Sequence, residues 1–127
     1  MPGLDQKQIE HLATMMNERW AREFREIRSL FSTMDEERQR VTLGGSIDEA
    51  SDDALLVKLA PVNDPLIQQN LQDVRDIAAA RQRIAAGTYG ECTDCGADIA
   101  YERLLAYPTA KRCIDCQREH EKRKAGR

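Results

Sequence analysis

Four cysteines constrain the fold of this chain more than any other feature. They form two Cys-x-x-Cys pairs, Cys92 with Cys95 and Cys113 with Cys116, and seventeen residues separate the pairs. This spacing is typical of a structural zinc site, in which each short pair supplies two corners of a tetrahedron. Four thiolates fill the coordination sphere. The sequence therefore predicts one structural zinc ion with no open position for a catalytic water.

Other uses of the thiols are less well supported by the pattern. A redox-active Cys-x-x-Cys pair usually begins a helix that follows a strand, and no strand pattern precedes either pair here. A thiol sensor that releases zinc when it is oxidised stays open as an alternative. We expect His120 to be solvated and not to replace a thiolate. The segment from Thr88 to Cys116 has few large apolar residues, so it should unfold without metal.

Composition limits the class of protein. At 127 residues, of which 32% are charged and 5% aromatic, the chain has room for one modest core. Its apolar runs are too short to cross a bilayer, and its first residues do not look like a signal peptide. We therefore expect a cytoplasmic protein without a membrane partner, in a compartment where thiols stay reduced.

Two amphipathic patterns predict a mainly α fold. Apolar residues recur at steps of three and four through a first helix over about 4–42: Ile9, Leu12, Met16, Trp20, Phe24, Ile27, Phe31 and Met34. A second helix is expected over about 65–86, since Pro65 suits a first turn and Gly87 a helix end. These apolar residues form a stripe along one face of each helix, and neither helix can bury its stripe by itself. The sequence predicts an antiparallel two-helix coiled-coil hairpin over 1–87, then a small four-cysteine zinc finger with a basic, short C-terminal helix over 88–127.

Charge is distributed unevenly along the chain. The net charge of −3 conceals a C-terminal segment, from Arg103 onward, with eight basic and three acidic residues. Its basic candidates for a contact surface are Arg118, Lys122, Arg123 and Lys124, suited to nucleic acid or an acidic protein surface, or simply to a solvated helix end. The expected turn region over 44–64 is acidic. Asp48, Glu49, Asp52 and Asp53 lie within it, and on composition alone they form a solvated loop without a ligand.

The run GTYGECTDCGADIAYERLLAYPTAKRCIDCQ resembles the zinc finger of the DksA/TraR family of bacterial transcription factors. The resemblance lies in Gly-Tyr before the first pair, Glu-Arg-Leu in the loop, and Pro108-Thr109-Ala110 before the second pair. It implies a coiled coil whose acidic tip enters the secondary channel of RNA polymerase. Where family members have Asp-x-x-Asp-x-Ala, this chain has Glu49, Asp52 and Ala54, with Asp48 just before the motif and Asp53 between its last two residues.

Two departures from the family pattern bear on function. Pro61 and Pro65 would interrupt the second helix near the tip, which predicts a shorter or bent coiled coil. Members that respond to ppGpp carry basic residues at the three positions that are Asp76, Tyr107 and Gln117 here. The resemblance therefore implies weak or no ppGpp binding at that site.

These features together predict a transcription regulator that binds RNA polymerase and acts as a monomer. Catalysis is not expected, because the two histidines are far apart in sequence and the metal sphere is full. Sequence-specific DNA binding is not expected either, since the chain lacks a basic recognition helix. A zinc-finger module that binds nucleic acid through the basic C-terminus is the alternative from another class.

Overall fold

The computed structural model of the chain describes residues 3–126, which are mainly helical. The helices are α1 (Gln6–Ser32), α2 (Glu36–Leu43), α3 (Asp52–Lys58), α4 (Pro65–Ala86), α5 (Tyr101–Ala106) and α6 (Ile114–Ala125). Among the described residues, β-pairing is limited to one antiparallel bridge between Glu91 and Asp98. The predicted mainly α class is confirmed. Within residues 3–126, no helix is both long and apolar enough to cross a membrane.

The single helix predicted over residues 4–42 is wrong, because the chain forms α1 and α2 with a break between them. At the break, the hydroxyls of Ser32 and Thr33 turn back and donate to backbone carbonyls of α1, each at 2.7 Å. Asp35 then caps α2, accepting a hydrogen bond from the backbone N–H of Arg38 at 2.8 Å. Short polar side chains of this kind compete with helical hydrogen bonding and favour helix ends.

The described residues pack as two compact units. Residues from Glu18 to Ile77 form one unit, and those up to Asn17 together with those from Ala78 onward form the other. The first unit holds a core drawn from α1, α2, α3, α4 and the loops between them: Phe24, Ile27, Phe31, Leu43, Ile47, Leu55, Leu59, Val62, Ile67, Leu71 and Val74. Residues 44–64 are therefore a folded part of this unit, with several of its largest buried side chains.

The loop between α3 and α4 explains how the two prolines are accommodated. Helix α3 ends at Lys58 and α4 begins at Pro65, so Pro61 falls between the helices and Pro65 in a first turn. Asp64 accepts hydrogen bonds from the backbone N–H groups of the next residues of α4, at 3.0 and 3.2 Å. The Gln68 amide donates to three carbonyls of the loop, the shortest contact being 2.6 Å to Val62. The second long helix thus does not continue back into the acidic segment.

A carboxyl pair lies where α1 meets α4 within the unit of residues 18–77. Arg19 forms an ion pair with Asp73 at 3.5 Å. One carboxyl oxygen of Glu23 is buried, and no donor in the described residues gives it a hydrogen bond. Burial, followed by a hydrogen bond to Asp73 and repulsion from its charge, raises the pKa of Glu23 from 4.5 to about 7, although Arg19 opposes this. Once protonated, the Glu23 carboxyl donates to Asp73.

This pair predicts a specific pH dependence of stability. Because the folded protein binds more protons than the unfolded chain between pH 4.5 and about 7, its free energy of unfolding should fall as pH rises through that window. Glu23→Gln keeps a donor without the charge, so it should flatten this dependence and stabilise the protein at pH 8 by ~1 kcal/mol, a value reduced for partial exposure. Urea denaturation at a series of pH values measures the effect. Glu18→Gln, at an exposed site on the same helix, is the control, and an equal response of both variants would contradict the assignment.

Candidate metal centre and acidic segment

The four cysteines converge on one point in the unit that contains the C-terminus. The Sγ atoms of Cys92, Cys95, Cys113 and Cys116 all lie within 4.8 Å of one another. The Sγ atoms of Cys95 and Cys113 are 3.8 Å apart. A tetrahedral zinc ion with Zn–S bonds of about 2.3 Å requires sulfur atoms about 3.8 Å apart. The donor set and its spacing fit one structural zinc, as the sequence predicts.

Backbone hydrogen bonds shape the two loops that carry the thiols. The N–H of Cys92 donates to the carbonyl of Ala97 at 2.7 Å, and the N–H of Gly96 donates back to Cys92 at 2.9 Å. Gly96 has a φ of +80°, a conformation that a side chain would strain. Thr93 joins the first loop to the second, since its N–H donates to the carbonyl of Lys111 at 2.8 Å. Cys113 is the N-cap residue of α6, which places Cys116 in the first turn of that helix.

The thiols differ in their acidity. Burial raises the pKa of Cys92, but hydrogen bonds from the backbone of Cys113, Cys95 and Asp94 outweigh it and lower the pKa to about 6. Hydrogen bonds with the neighbouring thiols raise the pKa of Cys116. Zinc is bound by thiolates, so a thiol that still carries its proton must lose it when the metal binds. Binding of zinc must release the remaining protons, so zinc affinity should weaken in acid.

The zinc finger has a small apolar base beside the thiols. Tyr89, Ile99, Leu104 and Ala110 are buried there. The buried Tyr89 hydroxyl donates to the carbonyl of Pro108 at 2.7 Å, and burial raises the pKa of this tyrosine to about 12. Because this base is small, the metal must supply much of the stability of the finger.

Only some side chains of the acidic segment, residues 48–54, are exposed to solvent. The side chains of Asp48, Glu49 and Asp53 are exposed, whereas Asp52 and Ala54 are half-buried. Asp52 and Asp53 begin α3, where Ser51 caps the helix by accepting a hydrogen bond from the N–H of Ala54 at 3.1 Å. Carboxylates in the first turn of a helix are favoured by its dipole. The predicted tip residues therefore lie in one segment, but they do not form a uniform exposed cluster.

Arg28 of α1 holds this segment in place. Its guanidinium donates to the carbonyls of Ile47 and Ala50, at 2.8 and 3.0 Å, and to the carboxylate of Asp52 at 2.8 Å. The other carboxylate oxygen of Asp52 accepts a hydrogen bond from the indole N–H of Trp20 at 3.0 Å. Both oxygens of Asp52 are thus engaged by α1. No local pattern in the sequence marks Arg28, and the spacing of Trp20 predicts only a place on the apolar stripe of the first helix.

The basic candidates all lie on α6. Arg118, Lys122, Arg123 and Lys124 are exposed, and this helix has no fully buried side chain. Arg118 and Lys122 are four residues apart and share one face. Arg123 and Lys124 follow His120 by three and four residues and share another face with it. The helix therefore presents two basic faces.

The three positions linked to ppGpp carry no cation. Asp76 of α4 accepts a hydrogen bond from the Gln72 amide at 2.9 Å. The ring of Tyr107, which is 44% exposed, lies 5.7 Å from the guanidinium carbon of Arg103. Gln117 lies in the first half of α6. None of these three residues is basic, so weak or absent ppGpp binding at these positions stays a prediction.

Comparison with known proteins places these features in context. Residues 87–122 match the model of the prokaryotic dksA/traR C4-type zinc finger. The RNA polymerase-binding transcription factor DksA of Caulobacter vibrioides is 28% identical over 124 residues, a match that covers 96% of this chain and 82% of that protein. An uncharacterised 8.2 kDa protein of Escherichia phage P2 is 37% identical over 59 residues, covering 45% of this chain and 80% of that protein.

Other matches differ in how much of each protein they cover. An uncharacterised protein of Aquifex aeolicus is 37% identical over 59 residues, but the chain spans only 41% of its length. Among solved structures, the solution structure of a DnaK suppressor protein from Agrobacterium tumefaciens superimposes with a TM-score of 0.60 at 27% identity. That superposition covers 94% of this chain and 99% of the other. The likeness therefore includes the helical part as well as the zinc finger.

Proposed function

Because this chain belongs to the DksA/TraR family of C4-type zinc-finger proteins, we propose that it regulates transcription by binding RNA polymerase. The observation that carries the proposal is the match to the Caulobacter DksA, which extends over 96% of the chain and so includes the helices as well as the finger. The family is regulatory, and the Caulobacter relative is a transcription factor. We expect a protein with this role to be cytoplasmic and to act as a monomer. We do not expect it to recognise a specific DNA sequence.

We propose further that the acidic segment acts in the secondary channel of the polymerase. The exposed carboxylates of Asp48, Glu49 and Asp53 are free to approach the basic groups and magnesium of an active centre. In a narrow channel, where water is scarce, each of these charges counts for more than at an open surface. Asp52 has a different part, because its carboxylate is bound by Arg28 and Trp20. It fixes the start of α3 and so positions the exposed carboxylates.

The experiment that tests this proposal measures two quantities separately: the affinity for RNA polymerase and the effect on open-complex lifetime. We expect the chain to co-purify with core RNA polymerase and to be displaced by a known secondary-channel factor. The triple variant Asp48→Asn/Glu49→Gln/Asp53→Asn should keep its affinity for polymerase within a few-fold, because the helices and finger supply most of the contact area. It should lose most of its effect on open-complex lifetime. A filter-binding assay of open-complex decay measures the second quantity.

A matched variant shows whether the effect depends on where the carboxylates lie or only on the loss of negative charge. Glu36→Gln/Glu37→Gln removes exposed carboxylates from α2, outside the acidic segment, and should change neither quantity. Asp52→Asn should also reduce activity, with a measurable loss of stability because Arg28 loses its charged partner. Unchanged open-complex lifetime with the triple variant would refute the channel mechanism. Failure to bind polymerase at all would refute the proposed function.

The nucleic-acid alternative gives a different result in the same assays. If the finger binds nucleic acid, neutralising the cations of α6 should matter far more than neutralising the acidic segment, and binding should fall steeply with salt. The residues at the ppGpp positions give a further expectation. With Asp76 where a cation is needed, ppGpp should add little to the effect of this protein on polymerase through that site.

A further inference from the structure

A polar groove lies beside the metal centre, within the unit that contains α6. It has a volume of about 730 Å³ and is lined by six residues: Thr93, Asp94, Arg112, His120, Arg123 and Lys124. The first two come from the loop between the first pair of cysteines, and the last three come from one face of α6. The lining contains no large apolar side chain and no Phe, Tyr or Trp. An apolar ligand is therefore not suited to this groove.

The side chains that line the groove carry more positive than negative charge. Arg112 forms an ion pair with Asp94 at 2.9 Å, and its side chain is only 17% exposed, so this guanidinium is held in position. Arg123 and Lys124 form no ion pair with any described residue. Three cations therefore face a single carboxylate. The Arg112 pair neutralises that carboxylate, which leaves two cationic side chains uncompensated.

His120 gives a second sign that positive charge converges here. Its pKa is lowered by desolvation and by the charges of Arg112, Lys124 and Arg123, an effect that Asp94 only partly opposes. At neutral pH, His120 is thus a neutral imidazole that can donate one hydrogen bond into a cationic surrounding. The groove combines a guanidinium held by an ion pair, two exposed cations and a neutral donor. This set suits an anion with several oxygen acceptors and more than one negative charge.

We propose that this groove binds a compact polyphosphate group, with Arg112, Arg123 and Lys124 as its cationic contacts. Phosphoryl oxygens match a guanidinium and an ammonium in both charge and geometry. A small polyphosphate fits better than a nucleic-acid strand, because the other two cations of α6, Arg118 and Lys122, do not line the groove. A strand would be expected to follow an extended basic stripe. The groove is separate from Asp76, Tyr107 and Gln117, none of which lines it.

The test uses the zinc-loaded full chain and inorganic tripolyphosphate as the probe. At fixed ionic strength, Arg123→Gln/Lys124→Gln should weaken tripolyphosphate binding by roughly tenfold or more, measured by calorimetric titration. Arg118→Gln/Lys122→Gln removes the same charge from the other face of α6 and should change the affinity less than twofold. Arg112 is left intact, because its ion pair with Asp94 joins the two cysteine loops and losing it would disturb the metal centre. Zinc content is measured after the titration, since polyphosphate can chelate metal.

Backbone NMR locates the probe independently. Tripolyphosphate should shift the amide signals of Thr93 and Asp94, which lie in the finger loop and are not altered in either variant. Equal weakening by the two double variants would show only a diffuse charge effect and would overturn the proposal. Absence of tripolyphosphate binding would also overturn it. A single-stranded oligonucleotide that binds more tightly than tripolyphosphate, and depends on both pairs of cations, would overturn it as well. The last outcome would identify a nucleic-acid surface.

Discussion

We expect Cys92→Ser and Cys116→Ser each to lose the zinc ion and, with it, the fold of residues 88–120. The four Sγ atoms lie within 4.8 Å of one another, so each thiolate is one of only four ligands. A structural zinc site contributes roughly 10–16 kcal/mol of apparent binding energy near neutral pH. The small apolar base around Tyr89 and Leu104 cannot replace a contribution of this size. This is the largest effect that we predict for any single substitution in the chain.

Metal analysis of freshly reduced protein measures the outcome, with circular dichroism to follow the fold. The wild-type chain should hold one zinc per molecule. Ala97→Ser is a suitable control, because it places a hydroxyl on an exposed residue of the same loop while leaving the ligands intact. Much less than one equivalent in the wild type, or a full equivalent in both cysteine variants, would contradict the four-thiolate site.

Arg28→Met should lower the free energy of unfolding by about 2–3 kcal/mol and loosen residues 47–52. The substitution keeps the apolar stem but removes the donors to two backbone carbonyls and to the Asp52 carboxylate. Hydrogen bonds to charged groups contribute ~1.5–3 kcal/mol and neutral ones ~1 kcal/mol. The ion pair itself is discounted, because the side chains are 29% and 40% exposed.

Chemical denaturation and amide hydrogen exchange together check this prediction. Exchange should increase most over residues 47–52, since their carbonyls and the start of α3 lose their anchor on α1. Arg25→Met, at an exposed position of the same helix, is the matched control. If Arg28→Met were no less stable than Arg25→Met, the anchoring role would be wrong. The result also bears on polymerase regulation, because a loosened segment would no longer hold its exposed carboxylates in a fixed position.

The sequence by itself determined the metal site and the class of fold. Both Cys-x-x-Cys pairs are local patterns, and a tetrahedral ion imposes the same geometry on them whatever surrounds it. The second long helix was also marked by local signals, with Pro65 at its first turn and Gly87 after its last. Such features are read from a few neighbouring residues. They do not depend on which distant elements come together.

The tertiary structure decided what the acidic segment would do, whereas the break in the first helix follows from local polar side chains that the apolar periodicity obscures. The apolar periodicity of α1 continues past Ser32 to Met34, yet the caps at Thr33 and Asp35 end one helix and start another. In the sequence, residues 44–64 resemble an acidic turn region, but Leu55 and Leu59 within them are fully buried. No local pattern shows that Arg28 would reach a segment nineteen or more residues away.

The acidity of Glu23 and the groove beside the zinc site were decided in the same way. The pKa of Glu23 is raised because helix packing buries the carboxyl group and because α4 brings Asp73 against it. The groove exists because Thr93 and Asp94 meet Arg112 and the last turns of α6 around the four thiols. Charges that are distant in sequence acquire their properties from proximity and burial, which arise only when the helices pack and the two cysteine loops close around one point.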